Sequence, residues 1–249
     1  MIRGLVMIAV GGAAVAATSL AGSGAFREKS WHFPDFVWSS DDGTSGPDIT
    51  FSDNAPSAER SLTWAGGERL KFSVPAVIVF TQGATPSITI SGPAPLVDHV
   101  VLNGDQISLN GHVSHFHSGH SLHIAITAPN LHEFDLESAQ DLHIAAIDTP
   151  KLKIDISGAG DVHAAGKVGV LDLTLEGLGN ADLSNLTLTD ARIEIDGVGD
   201  VKAGPSGNAD LEINGAGAIT LTRRPAHLTQ EINGPGSVDV PKAPAGTTL

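Results

Sequence analysis

The sequence predicts an all-β fold: a single-stranded parallel β-helix with about 19–20 residues per coil. Three observations carry this reading. A glycine turn recurs at a near-constant step, apolar residues alternate ahead of each turn, and the last 115 residues contain no aromatic side chain. The turn is clearest in Ile154-Asp155-Ile156-Ser157-Gly158-Ala159-Gly160-Asp161-Val162. Further copies begin at Leu173, Ile193, Leu211 and Gln230, and their first glycines are Gly177, Gly197, Gly215 and Gly234. From Gly158 onward the steps are 19, 20, 18 and 19 residues. The second glycine of each turn is Gly160, Gly179, Gly199, Gly217 or Gly236. A fixed period of this length with period-two alternation is the signature of a strand solenoid.

Each part of the repeat has a physical reason. Ile154 and Ile156 face inward and Asp155 outward, because successive side chains of a strand point to opposite faces. The Gly-x-Gly turns the backbone through positive φ without a Cβ clash. Val162 and Ala164 restart the inward pattern, Ala165-Gly166 makes the next corner, and Val170-Leu171 lead into the following coil. A unit that already holds two or three short strands has no room for a helix, so coil pairs with coil. Phe134-Asp135-Leu136-Glu137-Ser138-Ala139-Gln140-Asp141-Leu142 is a degenerate earlier copy. Ile88-Thr89-Ile90-Ser91-Gly92 and Val100-Val101-Leu102-Asn103-Gly104-Asp105 read as weaker echoes. About ten coils stacked ~4.8 Å apart are then expected between residues 48 and 240. Leucine-rich, hexapeptide and calcium-binding nonapeptide solenoids are excluded, because their own sub-repeats are missing.

The two ends need blunting, since a β-helix exposes unpaired strand edges there. Pro241 and Pro244 lack N–H donors and are expected to stop pairing at the C-terminus. The aromatic stretch Trp31 to Trp38, or the segment near Trp64, is expected to cover the first coil. At the N-terminus, Met1-Ile2-Arg3 is a short basic start, and Gly4 to Leu20 is apolar and uncharged. Small residues follow at Ser19-Leu20-Ala21 and Ser23-Gly24-Ala25, a pattern that reads as a cleavable export signal. The expected division is a signal peptide at 1–25, a linker or N-terminal cap at 26–47, the β-helix at 48–240 and a tail at 241–249. Export places the protein in the periplasm or on the cell surface. Membrane contact is expected only through the N-terminal segment, if it stays uncleaved.

Composition narrows the chemistry. The 249 residues carry 28 acidic and 14 basic side chains, a net charge of -14, so nucleic acid is not an expected partner. With no cysteine there is no disulfide, thiolate metal site or Cys nucleophile. Nine of the eleven histidines lie between His99 and His163. His112, His115, His117, His120 and His123 have spacings at which two or three imidazoles could hold Zn²⁺, Cu²⁺ or Ni²⁺. A polar, solvated face is the favoured reading, because no Cys or tight carboxylate completes a zinc set. His123, His143 and His163 follow one another at steps of 20 and should form an outer imidazole ladder, with His112 and His132 as a shorter pair. Asp155, Glu194, Glu212 and Glu231 share one outward position, interrupted by Thr174. Asp141, Asp161, Asn180 and Asp200 share the position after the second glycine. Clustered carboxylates serve sugar-cleaving β-helices, but turn Asp and Asn more often bond nearby backbone N–H groups.

The recurrent Ile-Asn-Gly-x-Gly and Ile-x-Gly-x-Gly-Asp-Val turns resemble the head GIN domain of the family named putative autotransporter adhesins. The resemblance spans residues 48 to 240 and is best from 134 to 238. It implies an exported bacterial protein with a right-handed β-helix of pectin-lyase-like shape and no catalytic residues. Such a protein needs no cofactor, and its partner is a surface polymer or protein. No train of amphipathic strands long enough for a membrane barrel follows, so self-translocation of the head is not expected. A non-catalytic cell-envelope adhesin is the leading reading. A β-helical polysaccharide lyase or hydrolase, and a periplasmic metal-binding protein using residues 112–123, are the alternatives.

Overall fold

The structure, a computed structural model, describes residues 48–49, 55–113 and 122–242, all within the unit Phe36–Leu249. In chain order the first elements are β1 (Asp48–Ile49), β2 (Ser57–Leu62), β3 (Arg69–Phe72), β4 (Ala76–Gln82), β5 (Ser87–Pro93) and a short helix α1 (Ala94–Val97). Next come β6 (Val100–Asn103), β7 (Gln106–Leu109), β8 (His112–Val113), β9 (Leu122–Ala128) and β10 (Glu133–Leu136). The long strands β11 (Gln140–Ile156), β12 (Ala159–Leu175) and β13 (Leu178–Ile195) follow. The last coils hold β14 (Val198–Ala203), β15 (Asn208–Ile213), β16 (Ala216–Leu221), β17 (His227–Ile232) and β18 (Ser237–Asp239). The described residues are nearly all β and include a parallel solenoid of about five turns with roughly 20 residues per turn.

One face of the solenoid stacks β3, β10, the ends of β11, β12 and β13, then β15 and β17, all parallel. In that file Leu70, Phe134, Ile154, Leu173, Ile193 and Leu211 lie in register, each essentially without solvent contact. A second face stacks β9, β4, the starts of β11, β12 and β13, then β14, β16 and β18. Long β strands turn the corner between faces by a register shift, between Ile144 and Ile147 in β11 and between His163 and Ala165 in β12. A bulge bends the strand while pairing continues on both sides of it.

The glycines of the turn stand in two columns. A Cβ on Gly177, Gly197 or Gly215 would lie 1.8–1.9 Å from the carbonyl oxygen of the first glycine one coil back. The second column is as tight, and there Gly160 and Gly179 also take φ of +153° and +155°. The first column therefore needs glycine for close backbone approach, and the second needs it for approach and, at Gly160 and Gly179, for φ as well.

The N-terminal third departs from the expected ten coils. Residues 69–82 form a coil that lies between a coil made later in the chain, β7 with β9, and the coil β10–β11. The segments at 88–92 and 100–105 are not coils. Strand β5 runs antiparallel to β2 and β9, and β6 is antiparallel to β7. This antiparallel layer closes the N-terminal end, with Trp64 packed against the core. Trp31, Phe33, Phe36 and Trp38 lie outside the described residues, as do the export segment and Pro244. Aromatic rings gather where the inserted coil meets the regular ones, and Phe80 and Phe134 meet edge-to-face at 5.4 Å.

The degenerate turn Ser138-Ala139-Gln140 is explained by what it stacks on. The preceding coil turns at Ser73-Val74-Pro75 and has no glycine column to continue. Gln140, fully buried, donates its Nε2 to the carbonyls of Phe72 and Val74 at 3.0 and 2.9 Å and accepts from Ser138 N–H. A buried corner of the backbone is thereby satisfied by a side chain.

Candidate functional site

The outer surface of the solenoid is a set of polar files, because outward side chains of in-register parallel strands stack coil on coil. On the first face one file runs Lys71, Asp135, Asp155, Thr174, Glu194, Glu212, Glu231. Its neighbour runs Arg69, Glu133, Lys153, Asp172, Arg192, Asp210. The bases are concentrated early. Arg69 pairs with Asp135, Lys71 with Glu137 at 2.5 Å, and Lys153 with Asp155 at 2.6 Å. Thr174 is short between Asp155 and Glu194, and a shallow cavity of about 360 Å³ forms there, lined by Asp135, Glu137, Lys153, Asp155, Thr174 and Glu176.

The cavity holds charges of both signs side by side. The hydrogen bond and charge of Asp155 hold the Lys153 ammonium above its ordinary value, so it stays protonated. Burial works against the Glu137 carboxylate, but hydrogen bonds from Lys71 and Ser73 hold it below the usual range. Further along, Glu194 is pushed up by burial and by the neighbouring Asp196 and Glu212 carboxylates.

On the second face the turn carboxylates are engaged by backbone. Asp161 Oδ1 accepts from the N–H and the side-chain amide of Asn180 at 3.0 and 2.9 Å. Asn180 Oδ1 accepts from Asp200 N–H, and Asp200 Oδ1 from Ala218 N–H, each at 3.1 Å. A parallel ladder on the other side of the turn joins Asp196, Asn214 and Asn233 at 2.8 and 2.9 Å. These groups fasten coil to coil.

The histidines divide. His143 and His163 are in register, their rings stacked at 5.3 Å and 12°. His123 does not join them. It is exposed on β9 opposite Val77, because β4 is inserted between β9 and β11 and sets His143 against Val79 instead. His112 is likewise not beside His132, since β8 pairs with β1 and sets His112 against Asp48. The side chain of His112, and all of His115, His117 and His120, lie outside the described residues. Among the described residues no three His, Asp or Glu side chains converge to hold a metal ion. The file that holds His143 and His163 continues to Asp182 and Lys202, a continuation missed in the sequence although the same step of 19 or 20 reaches both. For Asp182, burial is outweighed by hydrogen bonds from Ser184 and by Lys202 and His163, so its carboxyl sits below the usual range.

These features define a parallel β-solenoid with stacked polar files on its outer faces. The chain belongs to the family described as "putative auto-transporter adhesin, head GIN domain", whose model matches residues 68–225. Its fold is similar to that of a putative adhesin from Bacteroides fragilis NCTC 9343, with a TM-score of 0.59 at 20% identity, covering 78% of this chain and 99% of that one. A putative adhesin from Parabacteroides merdae ATCC 43184 is similar at a TM-score of 0.50 and 17% identity, covering 76% and 98%. No curated protein matches the chain significantly.

Proposed function

We propose that this protein is an exported, non-catalytic surface-binding protein of adhesin type. The observation that carries the reading is the use of its carboxylates. The turn carboxylates Asp161, Asp200, Asp196 and Asp190 accept hydrogen bonds from the next coil, so these four groups are held by the stacking of the coils. Family membership supports the adhesin reading, and the basic, then apolar, N-terminal sequence supports export. Flat files of stacked side chains present the same chemistry over several coils, which suits an extended polymer or a protein surface. The test is retention: beads coated with the exported chain are challenged with arrays of glycans and of cell-envelope proteins. Saturable retention without any change in the mass of the ligand is the expected result. Release of shortened glycans, or retention on no surface at all, would sink the reading.

A further inference from the structure

The residue between the two glycines of each turn lies outside every role described so far. Ala159, Leu178, Val198 and Ala216 occupy this position and are in register on successive coils. Leu178 is 57% exposed and Val198 51%, the most exposed of the large apolar side chains in the described residues. Glycine columns run along both sides, so these side chains stand as a ridge above two gutters of bare backbone. Beyond the gutters, one flank carries Glu176 and Asp196 and the other Asp161 and Asp200, with no Lys or Arg in either file. The packing of the solenoid has no use for Leu178 or Val198, which point away from a core already filled by Leu175, Ala181, Ile195 and Val201.

From this corner we infer a docking ridge for a basic amphipathic α-helix of a partner protein, an inference that rests on the surface-binding reading above. Three physical points select that occupant. The flanks are anionic, so nucleic acid and anionic lipid are repelled, and a neutral glycan brings no cation to meet them. A polypeptide carries aliphatic groups and Lys or Arg on one chain. Finally, the ridge rises by ~4.8 Å per coil, near the ~5.4 Å pitch of an α-helix and well short of the ~6.6 Å between same-face residues of a strand. Apolar residues at i, i+3, i+4 and i+7 can then follow the ridge while basic residues on either side reach the two acidic flanks.

The probe is a labelled peptide of about 18 residues with Leu at helical spacing and Lys elsewhere. Its comparators are the same composition in strict Leu–Lys alternation, and the helical pattern with Glu in place of Lys. With the full exported chain, the helical Leu/Lys peptide should bind most tightly and the Glu peptide not at all. The double substitution Leu178→Ser with Val198→Ser should weaken binding about tenfold. Glu176→Gln with Asp196→Asn should weaken it too and flatten its salt dependence, which keeps the test open if the apolar variant fails to fold. Unchanged affinity in a folded ridge variant, or equal affinity for the alternating peptide, overturns the proposal. Bead retention separates the two readings: a ridge variant that retains its surface as well as the unaltered chain removes the ridge alone, whereas an unaltered chain that retains nothing removes the adhesin reading.

Discussion

Asp141 and His143 sit two residues apart on the outward side of β11, and burial moves their pKa values in opposite functional directions. Asp141 lies between Val77 and Asp161, and burial pushes its carboxyl above the usual value of 3.8, against the hydrogen bond it accepts from Asp161 N–H. His143 lies between Val79 and His163, and burial together with the His163 charge pushes its imidazole below 6.5. For Asp141 the folded state holds its proton more tightly than the unfolded chain. Its contribution is present below pH 3.8 and is lost as pH rises through the folded value. For His143 the unfolded chain binds the proton more readily, so the contribution is intact above pH 6.5 and is lost as pH falls below it. Asp141→Asn keeps an oxygen for Asp161 N–H and removes a buried charge. We expect a higher Tm than the parent at pH 7, with the gap closing below about pH 4. His143→Gln should flatten the loss of stability between pH 6.5 and 5, and thermal melts across that range are the check. The pairing of His143 with His163 was legible as a step of 20 residues. The exclusion of His123 was not, because the strand that displaces it, β4, pairs with it from 46 residues earlier, Val77 opposite His123, and leaves no mark on that count.

Among elements, the glycine turn was the most legible and the inserted coil the least. The turn repeats because from Gly158 to Gly215 backbone meets backbone there in successive coils, and only glycine fits. Gly179→Ala would place a Cβ 1.7 Å from Gly160 O at a φ of +155°, so a loss of about 3 kcal/mol or more is expected in urea melts. Leu173→Ala, in the filled aliphatic file between Ile154 and Ile193, should cost a comparable ~2–5 kcal/mol by leaving a cavity. A Gly179→Ala variant as stable as the parent would show that the corner relaxes and the column is not obligatory. The coil at 69–82 has the alternation of any half-buried strand pair, Leu70 and Phe72, then Ile78 and Phe80. Nothing local states which neighbour it takes. Its position follows from its fit to Phe134, Leu136, Leu142 and Ile144, a long-range complementarity that a search for periodicity along the chain does not register. Gln140 held the one local hint, a long polar residue where the later turns have glycine.

Across the whole solenoid, stability is a sum over coil interfaces, and the terminal coil has only one. Strand β17 is exposed along its length, and at the inward position filled by Leu211 one coil earlier it carries Gln230. Among the described residues no strand covers β17, and a polar residue there blunts the open edge. Amide hydrogen exchange should therefore be fastest in β17 and β18 and slowest in β12, which is paired along both edges. Equal rates in β12 and β17 would mean that the stack opens as a single unit. The inserted coil gives the molecule a mechanical asymmetry. Tension applied at residue 242 peels coils away in the reverse of chain order, each one breaking a single interface before the next bears load. Peeling that reaches β10 and β11 meets a layer whose partner, β3 and β4, is clamped on its far side by β7 and β9. The chain leaving that layer leads into its clamp, so the pull is turned across the stack and several strand interfaces must shear together. Under such tension the C-terminal coils yield first and in small steps, while the N-terminal layer is a stop that resists until the whole cap gives way.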